Sequence, residues 1–530
     1  MGKTEFGGIG KLGNAGIIAA MSRLTRNTLM LAVLLAADKG LAILRQVIIA
    51  RQFSFSRDLD AFNVANNIPD LLFALISGGA LALAFIPILT DLLTKQGRGA
   101  VWDLFSRIAN LAFLGTAAIA VVVALLAGPM VRSQIGVAPG FSSVQQDVVI
   151  NLMRLNLIAT LIFSISGLVT AGLQANQHFL LPALAPMLYN VGQIFGALVL
   201  SPSKPYMLAG IQLPAMGLGV NGLVYGVIIG ALLHLGIQIP GLIKFKFRWI
   251  PKIGIWNPEV RRVLRVMVPR LGVMFCIQLM FVIRDNLASR LAEGSVSALT
   301  YGWMIQQVPE TILGSALGIA LLPTISELVA LEERQKFRET IEKCVRILVG
   351  LTLPVAVILG LGLEPLIKLV FGLDAAQADL MMWVSRGFLL GLMGHTVLEI
   401  ATRSFYSQQD ALTPLKTALM TLAIYIGMGI FMYRWLGAPG IALTDTTAYT
   451  TQAVVLLIIF GRREKSPVRL GDTLPRVIIA AIAGGLVVTG ITLLAGDRIP
   501  AVLVSIVSMA AGGIVFLPFM WKEVRSLVRL

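Results

Sequence analysis

Cysteine, histidine and acidic residues are scarce in these 530 residues: two cysteines, three histidines and 27 Asp plus Glu, with charged residues making up only 13%. Cys276 and Cys344 have no CxxC partner, which excludes a disulfide framework or a thiolate metal site and leaves two small core residues. No loop outside the apolar runs carries a cluster of carboxylates suited to a metal, which argues against a membrane glycosyltransferase. The first 27 residues, with glycines at 2, 7, 8, 10, 13 and 16, lack the apolar core and cleavage site of a signal peptide and read as a flexible extension.

What is present is hydrocarbon-like. Apolar residues make up 57%, and the mean hydropathy is +0.84, far outside the soluble range. Runs of about 20 apolar residues suit helices that cross a bilayer, because a helix satisfies its own backbone hydrogen bonds. Fourteen such runs are predicted: 28–51, 61–93, 104–131, 148–174, 179–200, 219–243, 264–291, 297–328, 341–363, 378–406, 413–433, 439–460, 474–495 and 500–520. The fold class expected is all-α integral membrane.

An even number of crossings puts both ends on one side. Loops on the side of the termini carry 22 Lys and Arg and the opposite loops 7, so both termini are expected in the cytoplasm. The net charge of +16 is concentrated in these short loops, as orientation and attraction to anionic lipid require, and nucleic acid is not an expected partner.

The second half echoes the first. Asn67-Ile68-Pro69 answers to Gln307-Val308-Pro309, Ala84-Phe85-Ile86-Pro87 to Ala320-Leu321-Leu322-Pro323, and Gln177 to Pro182 to Gln409 to Pro414, at offsets of 240, 236 and 232. Two six-helix lobes in parallel repeat follow, with spans 13 and 14 left over, and transporters of this plan hold substrate between their repeats. The expected division is an extension (1–27), an N-lobe (28–243), a basic linker (244–263), a C-lobe (264–460), a basic loop (461–473) and a C-terminal pair of spans (474–530).

Charges inside spans point to a polar chamber between the lobes. A guanidinium at mid-span costs about 2.5–3.5 kcal/mol even on lenient scales, so such groups face protein or water and mark pathways. Span 1 carries Asp38, Lys39 and Arg45; span 7 and its flank carry Arg270, Arg284 and Asp285; Asp60 and Asp70 lie on span 2 and Glu310 on span 8. Cations in such a place suit an anion, diphosphate above all, since Arg forks onto phosphate oxygens and Lys adds a point charge. The carboxylates either pair with the cations in the empty site or bind a coupling ion. His395, Glu399 and Arg403 stand at four-residue spacing on span 10, as a relay or a ladder that stabilises the lobe.

These features resemble the lipid II flippases of the MurJ (MviN) type, within the multidrug/oligosaccharidyl-lipid/polysaccharide exporter superfamily, from about residue 22 onward. The resemblance is carried by Leu59-Asp60-Ala61-Phe62, Ile68-Pro69-Asp70-Leu71-Leu72, Pro182-Ala183-Leu184-Ala185-Pro186 and, most specifically, the stretch from Phe405-Tyr406-Ser407 through Asp410 to Thr413-Pro414-Leu415-Lys416. It implies a transporter rather than an enzyme, in the bacterial inner membrane, with a cationic cavity for the diphosphate headgroup of lipid II or a related polyprenyl-diphosphate lipid. It further implies an apolar groove on spans 13 and 14 for the lipid tail, contact with membrane lipids and with cell-wall synthesis proteins, and no cofactor beyond a coupling cation or the membrane potential. By position, Arg45 and Asp60 match residues of the family, and Lys39 stands where the family has arginine. Phe73 and Met304 replace family arginines, and Arg284 or Arg270 are the candidates to substitute. Rival readings are a flippase for another lipid-linked oligosaccharide, a cation-coupled exporter of small solutes, and a degenerate relative that only scaffolds wall synthesis.

Overall fold

Glycine and proline decide where this apolar chain bends. A computed structural model describes residues 23–76, 79–208, 210–495 and 499–528; the first 22 residues, most of the expected extension, lie outside the described residues. The helices of the first half are α1 (Arg23–Phe53), α2 (Arg57–Ile76), α3 (Gly79–Gln96), α4 (Arg98–Arg132), α5 (Ser143–Ala175), α6 (Leu180–Phe195), α7 (Val220–Gly236) and α8 (Ile239–Lys244). Those of the second half are α9 (Pro258–Ala288), α10 (Ser295–Glu310), α11 (Ala316–Ala330), α12 (Arg334–Gly362), α13 (Glu364–Phe371), α14 (Ala375–Leu390), α15 (Leu392–Ser407) and α16 (Leu412–Arg463). The C-terminal region adds α17 (Thr473–Ala495), α18 (Ala501–Phe516) and α19 (Trp521–Val528). A small antiparallel hairpin, β1 (Tyr206–Leu208) with β2 (Ile211–Leu213), lies between spans 5 and 6.

Among the described residues, each of the fourteen predicted runs is mostly helical. Eight helical stretches among the described residues are long and apolar enough to cross a bilayer, the kinked Leu412–Arg463 counted as one. Several spans are interrupted: span 8 is α10 and α11 joined by a π turn at Thr311–Ser315, just after Pro309, and span 5 ends in a second π turn at Gly196–Leu200. Spans 11 and 12 form one helical element, α16, broken at Gly437 (φ 62°, ψ −140°), a conformation from which a Cβ is excluded. Its arms run antiparallel, since Arg463 at the end reaches Asp410 just before the start at 2.7 Å.

Two lobes result. In the first, α5 packs on α2, α4 and α7, and α6 lies between α1 and α7. Small residues let α6 and α7 approach to backbone contact: a Cβ on Gly192 would lie 2.3 Å from the Cα of Gly230, and one on Gly226 2.8 Å from the Cα of Gly196. In the second, α9 and α15 pack on α16, and α14 on α10 and α16. Helices α17 and α18 pack on each other and on α12, outside that lobe, as expected of the unrepeated pair. The motif from Phe405 to Lys416 is a clasp: Asp410 accepts from the backbone of Leu412 and Thr413 (both 3.0 Å), the Thr413 hydroxyl (2.6 Å) and Arg463, which also lies 5.0 Å over the Phe405 ring.

Candidate functional site: a polar chamber between the lobes

Apolar helices enclose a polar space when their polar residues recur at helical spacing. On α2, Asn63, Asn66, Asn67 and Asp70 recur at i, i+3, i+4 and i+7 and so share a face. That face lines a chamber of about 720 Å³, together with Asn156 of α5, Tyr189 and Gln193 of α6, His234 of α7, Gln278 and Arg284 of α9, Trp303 of α10 and Arg45 of α1.

Arg45 is half-buried. Its guanidinium donates to the side-chain oxygen of Asn190 (2.9 Å), and the Asn190 amide donates to Asp38 (2.9 Å), so Asn190 orients the cation while Asp38 holds Asn190. The buried Nε of Arg45 bonds to no protein group. Across the chamber, Arg284 is almost fully buried, donates to Asp285 (2.7 Å) and to the Thr300 hydroxyl (3.3 Å), and lies 5.0 Å over the Phe281 ring. Asp285 also accepts from Asn67 of the other lobe (2.8 Å). A carboxylate with two donors can hold Arg284 in place without abolishing its pull on an anion.

Met274, Phe281, Arg284 and Trp303 also border a second chamber of about 400 Å³ inside the C-lobe. There His395 sits between Asp445 (2.9 Å) and Glu310 (3.8 Å) and stacks on Tyr449, while Glu399 pairs with Arg403. Arg154 of α5 bonds to the Ala124 carbonyl rather than to an acid.

The lobes interlock at one end of the chamber. Asp60, 2% exposed, reaches from the first turn of α2 to the start of α10 and accepts from the backbone of Gly294 (2.7 Å) and Ser297 (2.8 Å) and from the Ser297 hydroxyl (2.6 Å). Around it, Arg57 pairs with Glu293 (2.8 Å), Asn63 donates to Ser297 (3.2 Å), and Asn286 and Arg290 donate to the carbonyl of Gln134. At the opposite end, the one ion pair between α3 and α9 among the described residues is the exposed Arg262–Asp91 contact at 3.7 Å.

The residues singled out in the sequence therefore separate. Arg45 and Arg284 line the main chamber; Glu310 lines the second; Asp285 is buried behind Arg284; Asp60 is a cap and an inter-lobe latch at the edge of the chamber and is not itself a lining residue. Lys39 is exposed and outside both linings, and the Arg270 side chain lies outside the described residues. Helical geometry supplies the reason for Lys39: six residues along α1 turn it about 120° from Arg45, whereas Asp38, seven residues away, shares the Arg45 face. The amide stripe of α2 carries no charge apart from Asp70 and so gives no ionic signal, although its helical spacing is in the sequence.

The family description "Lipid II flippase MurJ" matches residues 49–519. The chain belongs to the MurJ family. A curated MurJ relative from Burkholderia cenocepacia, named lipid II flippase, is 29% identical over 469 residues, covering 86% of this chain and 87% of that protein. A probable lipid II flippase MurJ from Bdellovibrio bacteriovorus is 25% identical, with 75% of each chain covered. Among solved structures, a lipid II flippase MurJ in an inward closed conformation superposes with a TM-score of 0.77 at 20% identity, over 94% of this chain and 100% of that one. An inward-facing multidrug transporter of the MATE family shares the fold at 0.67 and 12%, over 81% and 94%. The chain is thus a multi-pass membrane protein with the MurJ fold. Within it, Phe73 lines the chamber and stacks edge-on with Phe163 (5.0 Å), while Met304 packs into the core, so neither position supplies the cation that the resemblance implies.

Proposed function

We propose that the chain flips lipid II, the undecaprenyl-diphosphate-linked peptidoglycan precursor, across the bacterial inner membrane by alternating access, making and breaking no covalent bond. The observation that carries this reading is Arg45: a mid-span guanidinium held toward an inter-lobe chamber by Asn190, with Arg284 on the facing lobe. Two forked cations in a space shielded from bulk water suit diphosphate oxygens. Family membership supports the substrate.

The excess of loop Lys and Arg supports cytoplasmic termini, which makes the interlocked end extracytoplasmic. The headgroup then enters at the opposite end, where the exposed Arg262–Asp91 contact is the one ion pair between α3 and α9 among the described residues, and leaves after the Asp60 latch opens. Leu486, Leu493 and Leu494 of α17 and Ile506 and Ile514 of α18 are exposed, which supports a tail groove on these helices. The His395 cluster supports proton coupling in the second chamber, with the membrane potential as a further drive.

The test is rescue of bacteria depleted of their own lipid II flippase. The intact chain and Lys39→Ala restore growth and lipid II externalisation; Arg45→Ala does not, although it reaches the membrane at a normal level. Full rescue by Arg45→Ala would refute the assignment.

A further inference from the structure

A crevice of about 510 Å³ lies in the second lobe, on the side of α15 and α16 turned away from the transport chamber. None of its lining residues borders either chamber. Val345, Val397 and Ala453 form its buried floor, and Val454 and Ile458, each about half exposed, form its outer lip. Helices α15 and α16 pack tightly beside it, since a Cβ on Gly394 would lie 2.2 Å from the Thr450 hydroxyl.

Polar character gathers at one end only. Arg462, Lys465 and Ser466 close the crevice where α16 ends, and the chain turns there through a left-handed Lys465 (φ 53°) with Ser466 N–H donating to the Gly461 carbonyl. Their neighbour Arg463 is taken by Asp410; among the described residues, Arg462 and Lys465 have no ion pair. Two uncommitted cations and a hydroxyl at the mouth of an apolar slot form a receptor for an amphiphile with one anionic head. With the termini in the cytoplasm, this mouth lies at the inner leaflet, where anionic lipid is concentrated and basic pockets between helices bind its headgroups.

We propose that this crevice is a binding site for an anionic glycerophospholipid of the inner leaflet. One acyl chain lies against Val397, Ala453 and Val454, and the phosphate is held by Arg462, Lys465 and Ser466. The bound chain fills the gap between α12 and the α15–α16 pair, behind the wall that carries His395 and Glu399, and so braces that wall from the lipid side. The assignment rests on the proposed orientation but not on the transported substrate.

The test uses the purified full chain in nanodiscs with equal amounts of phosphatidylglycerol and phosphatidylcholine of identical acyl chains, with co-purifying lipid counted by native mass spectrometry. The chain retains phosphatidylglycerol about 30-fold over phosphatidylcholine, the factor that two basic side chains near an anionic surface supply. Arg462→Gln with Lys465→Gln brings the ratio near unity, while Arg334→Gln with Lys336→Gln on another basic loop leaves it unchanged. Val454→Trp, which fills the slot, lowers retention of both lipids at an unchanged melting temperature. Equal retention by the intact chain, a preference that survives the double Gln variant, undiminished retention by a folded Val454→Trp, or displacement of phosphatidylglycerol by equimolar undecaprenyl diphosphate would each overturn the assignment.

Discussion

Replacing Asp60 with alanine removes a single carboxylate yet breaks three hydrogen bonds across the lobes and uncaps α10. Bonds to a charged acceptor contribute about 1.5–3 kcal/mol each, and loss of a helix cap alone costs about 0.5–2 kcal/mol. Because water re-solvates the freed N–H groups once the lobes part, the net shift toward the open end lies near the cap value, about 2 kcal/mol. That is about 30-fold in population. The assay is labelling of Asn63→Cys by a membrane-impermeant maleimide added outside cells, with Cys276 and Cys344 replaced by serine. Both native cysteines are buried, and Asn63 lines the chamber close to the latch. Asp60→Ala labels about 30-fold faster than its parent, and Asp58→Ala, on the exposed side of the same first turn, labels at the parental rate. Equal rates for the two variants would sink the latch.

Two further outcomes follow from the packing and the clasp. At Gly230 a Cβ would lie 2.6 Å from the Tyr189 carbonyl oxygen, so Gly230→Leu forces α6 from α7 and destabilises the first lobe by more than the roughly 1–3 kcal/mol of ordinary overpacking; Gly115→Leu, with open space around it, leaves the melting temperature unchanged. For Asp410, burial works against ionisation, but the Thr413 hydroxyl and N–H and the Arg463 guanidinium outweigh it and hold the carboxyl down at about 2. A depressed native value means that the stabilisation is complete above the ordinary aspartate range and is lost as pH falls from about 4 toward about 2. The melting-temperature advantage of the intact protein over Asp410→Asn therefore shrinks across that window, and an advantage independent of pH would contradict the clasp.

The spans and the repeat were legible because they depend on run length and order. Pro69 and Pro309, 240 residues apart, both lie inside the helices that face the chamber. The break of α16 was legible only as a gap between two apolar runs, since nothing in Gly437 itself declares a left-handed angle. Charges told less. Arg45 and Asp60 both read in sequence only as ions among apolar residues, yet one lines the chamber and the other caps a helix whose first residue follows 235 positions later. That difference is tertiary, and periodicity within a single helix cannot reveal it. The asparagines of α2 were readable by spacing alone.

The stretch that joins the halves is moored rather than slack. Asn110 of α4 donates to the carbonyls of Ile250 and Lys252 and accepts from the Trp249 indole, and the Ser106 hydroxyl receives the Ile250 N–H. Val260 and Val263, at the start of α9, are sunk in the same core as Trp102 and Phe105, whereas Met280, five turns on, belongs with Tyr425 of the other half. Any rocking of one half against the other is thereby denied to the covalent bridge and must be absorbed as curvature along α9, which makes that single rod the spring of the machine.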